Sequence, residues 1–127
     1  MKWRWVDPKA LALLHDESLA EHGGARGLRD PGLLESALAR PLNLANYGEP
    51  DMAALAASYG VALAKNHAFI DGNKRAAFLA IGLFLHLNGY RLQATQAGAT
   101  LVVMGVASGD IDEAALAAWL REHCVKR

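Results

Sequence analysis

The chain has 127 residues, 53% of them hydrophobic and 20% charged, which is enough apolar mass for one core and too little for two. Thirteen basic and thirteen acidic side chains cancel, so the broad positive field of a protein that grips nucleic acid by its phosphates is missing, and no direct nucleic-acid binding is expected. The lone Cys124 excludes an internal disulfide, and the longest apolar run, Ala76 to Leu87, falls short of the roughly 20 residues that span a bilayer. With an opening MKWRWVDP that lacks the basic-then-apolar layout of an export leader, a single cytoplasmic domain over residues 1–127 is expected, with no membrane segment.

In chain order, Asp7-Pro8 supplies an N-cap and a first-turn proline, and Leu11, Leu14, Ser18 and Leu19 keep a helical period until Gly23-Gly24 stops it. A glycine-rich loop follows, Gly23 to Arg29. Asp30-Pro31 repeats the start signal before a short helix through Leu34 and Leu38, expected to end near Pro41. Asn43 to Pro50 reads as a connection. Asp51 caps a third helix, with Met52, Leu55, Ala56, Tyr59 and Leu63 on one face. Ala76 to Leu87 is apolar on nearly all sides, as befits a helix surrounded by others, and Asn88-Gly89 ends it. Thr95 to Ala107 and Asp112 to His123 give two more helical patterns, split by Ser108-Gly109. Short strands are expected around Trp3 to Val6 and Tyr90 to Gln93. The fold class is all-α, around a central buried helix.

Chemistry concentrates in His67 to Arg75, HAFIDGNKR. Lys74 and Arg75 fall in the first turn of the central helix, where the macrodipole disfavours a cation by roughly 0.3–1 kcal/mol. An anion resting on the free N–H groups of that turn would account for both. Gly72 lets the backbone approach closely, and Asn73 can add an amide donor. An isolated basic pair at an exposed helix start would more simply snorkel to solvent, but here a base, a carboxylate and a glycine precede it. His67 offers an imidazole, the side-chain type suited to take a proton from an attacking hydroxyl. Asp71 is a hard oxygen ligand suited to Mg²⁺ that also touches phosphate oxygens. Arg75 offers a planar fork for phosphate, Lys74 a mobile point charge, and Phe69 an apolar anchor for the loop. A P-loop is excluded because GxxxxGK[ST] is absent, and a zinc site lacks a third ligand at matching spacing.

The nine residues resemble HxFx[DN][AG]NKR, the signature of the death-on-curing (Doc) branch of the Fic/Doc family. HGGARGLRDPGLLESALARP and the NGY at Asn88 to Tyr90 are similar to flanking segments of that family. The resemblance implies a compact Fic fold of about six helices with at most short strands. It also implies a toxin of a toxin–antitoxin system, acting as a protein kinase that moves the ATP γ-phosphate to a threonine of elongation factor Tu and arrests translation. Carried over by position, His67 is the general base, Asp71 the Mg²⁺ ligand, and Gly72, Asn73, Lys74 and Arg75 the phosphate cradle. Lys65, just before the motif, is a weaker candidate and reads as a solvated helix-end cation.

Ordinary Fic proteins, with HxFx[DE]GNGR, transfer AMP. Lys74 stands where they have a second glycine and would occupy space that a phosphate needs in the AMP-transferring orientation. No glutamate here is followed by Gly or Asn, so the self-inhibitory [ST]xxxE[GN] element of many Fic proteins is missing. A Phd-like partner antitoxin is the restraint the resemblance implies. Two rivals remain, an AMP transferase and a catalytically idle module that binds an antitoxin as a co-repressor. His15, His22, His86 and His123 read as structural or solvated, Trp3, Trp5 and Trp119 as packing, and Tyr47 as a candidate border of the substrate groove.

Overall fold

Most helices here begin on an oxygen-bearing side chain. In the computed structural model, which describes residues 3–127, Asp7 caps α1 (Pro8–His22) by accepting from the Lys9 N–H at 3.0 Å. Asp30 does the same for α2 (Pro31–Tyr47) through Leu33, and Asp51 for α3 (Met52–Asn66) through Ala54. Thr95 and Asp112 cap α5 (Gln96–Ser108) and α6 (Glu113–His123). Such a cap satisfies one of the N–H groups that a helix's first turn leaves without a partner. Between α3 and α5 lies α4 (Asn73–Leu87), whose N-cap is Gly72 and which has no such side chain. Met1 and Lys2, which open the stretch read for a leader, lie outside the described residues.

The centre of the fold is the pair α3 and α4. Leu55, Ala56, Tyr59 and Leu63 are buried on α3 as their spacing predicts, and so are Ala53, Ala57, Ser58, Gly60 and Ala64 on its other sides. α3 touches α2, α4, α5 and α6. Gly60 explains the tight fit, because a Cβ there would lie 2.7 Å from Ile81 Cδ1 and 3.0 Å from Leu116 Cδ2. On α4, Ala76, Ala77, Ala80, Ile81, Phe84 and Leu85 are buried, while Gly82 and His86 reach the surface. Among the described residues, six helices and one short two-stranded sheet make the expected all-α architecture. Among the described residues no helix is long and apolar enough to cross a membrane.

Two expectations need correction. α2 does not end near Pro41 but runs through it to Tyr47, so most of the predicted connection from Asn43 to Pro50 is helix. A proline inside a helix removes one N–H bond to the residue four before it, here Ala37. Pro41 is itself fully buried, and the apolar contact it gains there offsets the missing bond. Trp3 to Val6 forms no strand. The Asn88 side-chain amide takes a strand's place, accepting from the Arg4 N–H at 2.9 Å and donating to the Arg4 carbonyl at 2.9 Å. The Val6 N–H donates to the Tyr59 hydroxyl at 3.1 Å. The strand at Tyr90 is real: β1 (Tyr90–Leu92) pairs antiparallel with β2 (Cys124–Lys126), which the sequence pattern did not single out.

The glycine-rich loop lies across the segment that leads into α4. Leu28 bridges Phe69 in antiparallel fashion, the Arg29 and Asp30 N–H groups donate to the Ala68 carbonyl at 2.9 and 3.1 Å, and the Ile70 N–H donates to the Gly27 carbonyl at 3.1 Å. The loop is thereby held by its backbone against Ala68 to Ile70, while its side chains stay exposed.

Candidate active site

HAFIDGNKR runs from the last turn of α3 to the first turn of α4. His67 terminates α3 in the left-handed conformation, φ 54° and ψ 45°, and is the one non-glycine residue with positive φ among those described. Glycine or asparagine usually takes that place because a Cβ there is strained by about 1 kcal/mol or more. The Arg29 Nε donates to the His67 carbonyl at 2.8 Å and holds the turn. The imidazole is exposed. It lines a cleft of about 820 Å³, within the size range of small-ligand sites.

The floor of that cleft is the start of α4. Of the six helices among the described residues, this one alone lacks a side-chain cap. The Asn73, Lys74 and Arg75 N–H groups have no acceptor among the described residues, and all three residues line the cleft. Neither Lys74 nor Arg75 has an ion-pair partner there. Free N–H groups, the positive end of the macrodipole and two cations without ion-pair partners among the described residues therefore converge on one concave surface, whose charge and donor count suit an anion. Gly72 makes the turn at φ 72°, a conformation strained for any residue with a Cβ.

Asp71 lies on the cleft's edge, with Oδ1 accepting from the Gly72 N–H at 2.8 Å and Oδ2 from the Ala25 N–H at 3.3 Å. Each oxygen keeps a lone pair, and no cation neutralises it among the described residues. No group of three or more metal-ligating side chains occurs there either. One carboxylate suits Mg²⁺, which is held by one or two carboxylates with phosphates and water completing its shell, and it suits no all-protein metal cage.

The Asn73 side chain is engaged with the loop itself. Its Oδ1 accepts from the Phe69 N–H at 3.0 Å and its Nδ2 donates to the Phe69 carbonyl at 3.1 Å, so it staples the loop, and one amide hydrogen and the backbone N–H remain for other partners. Phe69 is buried as expected, and its ring stacks on the His15 imidazole at 4.0 Å between centroids. His15 and Arg29 are the residues that sequence reasoning missed. A signal for His15 existed, because Leu11, His15 and Leu19 lie four apart on the buried stripe of α1.

Other candidates fall elsewhere. Lys65 is an exposed cation in the last turn of α3, where the dipole favours it, and does not line the cleft. Tyr47, expected to border a substrate groove, is 91% exposed at the end of α2 and is not part of the cleft wall. His22 and His123 bond the Ser18 and Trp119 carbonyls through Nδ1. Trp3 and Trp5 pack on Phe84 with centroids 6.0 Å away, and Trp119 stacks on His123.

A compact helical frame with an HxFxDGNKR loop at an uncapped helix start defines a class, and residues 5–85 match the Fic/DOC family profile. The chain belongs to that family. It is 37% identical over 119 residues to a protein named Protein kinase doc from Escherichia phage P1, covering 93% of this chain and 94% of that one. It is also 47% identical over 75 residues to a protein named Toxin Doc from Mycolicibacterium smegmatis, covering 57% of each.

Proposed function

We propose that this protein is a toxin that phosphorylates a protein hydroxyl with ATP. The observation that carries the reading is the uncapped start of α4, with Lys74 and Arg75 unpaired, opening into the same cleft as His67 and Asp71. A triphosphate would lie on the Asn73, Lys74 and Arg75 N–H groups, with the Arg75 guanidinium on its oxygens. The Lys74 ammonium would sit beside the phosphate to be transferred. Asp71 would hold Mg²⁺, which when bound supplies charge neutralisation across the phosphate oxygens. His67 Nε2 or Nδ1 takes the proton as the acceptor oxygen attacks the γ-phosphorus, and ADP leaves with the electron pair of the broken P–O bond.

The name of the phage relative supports phosphoryl transfer, and the name of the mycobacterial relative supports a toxin. By family resemblance the acceptor is a threonine of elongation factor Tu, so translation is the process arrested, in the cytoplasm. A Phd-like antitoxin is the expected partner. Ile70 and Met104, both about half exposed at the cleft mouth, give such a segment apolar purchase beside the basic floor.

Incubation with elongation factor Tu and ATP labelled at either the α or the γ position tests the reading. Label on the factor from γ alone, absent with His67→Ala, is the expected result. Label from α would replace the kinase with an AMP transferase. Growth arrest that persists unchanged in His67→Ala, with no label from either position, would make the protein an idle antitoxin-binding module.

A further inference from the structure

The peptide that joins Asp71 to Gly72 is held from behind by α1. His15 is 1% exposed, and its Nε2 lies 3.0 Å from the Asp71 carbonyl oxygen. A carbonyl can only accept, so Nε2 carries the proton and donates it. The same imidazole stacks on Phe69 and stands 3.0 Å from where a Gly72 Cβ would be, with Leu19 Cδ2 at 3.2 Å from that point. His15 thus touches three of the nine residues in HAFIDGNKR while lying 56 residues from Asp71 in the chain.

We propose that His15 is a positioning residue for the phosphate cradle, acting through the orientation of the Asp71–Gly72 peptide. The carbonyl and N–H of a trans peptide point in opposite directions. Holding the Asp71 oxygen toward α1 turns the Gly72 N–H the other way, to the Asp71 Oδ1 at 2.8 Å. Were this peptide to flip, the Asp71 carbonyl oxygen would turn toward the Asp71 carboxylate that now accepts from the Gly72 N–H, and the left-handed Gly72 turn that starts α4 and presents the cradle would be lost. An apolar residue at position 15 would fill the same space without selecting between the two orientations. The buried donor makes that selection, which explains a polar group on the Leu11, His15, Leu19 stripe.

The effect on catalysis rests on the phosphoryl-transfer reading above, whereas the effect on the cradle does not. His15→Phe keeps a ring against Phe69 and removes the donor. His15→Gln loses the ring and restores an N–H near the Nε2 position. Thermal unfolding, kcat and KM for ATP, and the response of the Gly72 and Lys74 amide NMR signals to inorganic phosphate are measured for both and for the unaltered protein.

The expected result is an inversion: His15→Phe is the more stable variant yet loses at least tenfold in kcat/KM, while His15→Gln stays within about threefold of the unaltered protein. Phosphate should shift the two amides in the unaltered protein and in His15→Gln, with at least tenfold weaker response in His15→Phe. Activity that follows thermal stability, or amide shifts in His15→Phe equal to those of the unaltered protein, overturns the proposal and leaves His15 a packing residue. If His15→Phe does not fold, His15→Met, also without a donor, takes its place. If the unaltered protein transfers no phosphate from ATP, the functional reading falls and the amide titration alone decides for His15. An unaltered protein whose amides ignore phosphate has no cradle, and the proposal falls with it.

Discussion

The Arg29 Nε donates to the His67 carbonyl at 2.8 Å, and its Nη2 reaches the Asn66 carbonyl at a longer 3.5 Å. One exposed guanidinium thereby closes the open end of α3 and fixes the backbone of the residue expected to act as base. Both carbonyls lie where water can replace the arginine, so Arg29→Ala should lower stability by less than about 1 kcal/mol. Phosphoryl transfer should fall further, by about tenfold, because a small rotation at His67 misplaces the imidazole. Arg29→Lys lacks the planar fork and should not restore the rate. Urea unfolding beside transfer rates measures the two effects; equal losses would reduce Arg29 to a stabilising contact.

His67 itself carries backbone strain at φ 54°. Glycine adopts that conformation freely, so His67→Gly should raise stability by about 1 kcal/mol despite glycine's greater freedom when unfolded, a gain of roughly 3–5 °C in Tm. It should also abolish transfer. His67→Ala keeps the strain and should abolish transfer without the gain. A calorimetric scan of the two variants decides, and a His67→Gly no more stable than His67→Ala would mean that the turn is not strained.

Local chemistry was legible in the sequence and distant contact was not. Asp7, Asp30, Asp51, Thr95 and Asp112 each announce a helix because a cap acts within three residues of itself. HAFIDGNKR was legible as the loop that opens the uncapped α4 for the same reason. Pro41 misled because its local rule was outweighed by burial against the core, and β2 escaped because three residues carry no period until a partner is known. The Asn73 side chain reads equally well as a phosphate donor or as a staple, and only the position of Phe69 distinguishes them. Arg29 acts across 38 residues and His15 across 56, distances at which spacing says nothing.

The two roles within the loop separate by stability. Removing the Asn73 amide leaves the N–H and the carbonyl of the buried Phe69 without their partner, so Asn73→Ala should destabilise by about 1–3 kcal/mol. Lys74 is exposed, has no ion-pair partner among the described residues and opposes the dipole, so Lys74→Ala should be neutral or stabilising by up to about 0.5 kcal/mol. Both should lose transfer. Chemical denaturation of the pair is the check, and a Lys74→Ala as unstable as Asn73→Ala would mean that the lysine braces the fold instead of meeting phosphate.

Asp51 does two jobs that pH can pull apart. Its Oδ1 accepts from the Ala54 N–H at 2.9 Å as the cap of α3, and both oxygens take the Arg121 guanidinium, at 2.7 and 3.0 Å, which ties α6 to that cap. The Arg121 hydrogen bonds hold the Asp51 carboxyl below the usual aspartate value; partial burial opposes them and the Ala54 N–H adds to them. A depressed folded value means that the stabilisation is complete above the unfolded value and is lost as pH falls through the folded one. Both side chains are about half exposed, so solvent reduces the pair to about 0.5 kcal/mol, while the cap contributes about 1 kcal/mol. Asp51→Asn keeps a capping oxygen and should trail the unaltered protein by the smaller amount at pH 7. That gap should close as the pH falls through the folded value, which Arg121 holds below the ordinary aspartate range, and the carboxylate is protonated. Asp51→Ala loses the cap as well and should remain the least stable of the three at every pH. Urea midpoints from pH 7 down into that acid range measure both differences. A gap to Asp51→Asn that does not narrow with acid would show that Arg121 holds the amide as well as it holds the carboxylate, and that the charge of Asp51 contributes nothing.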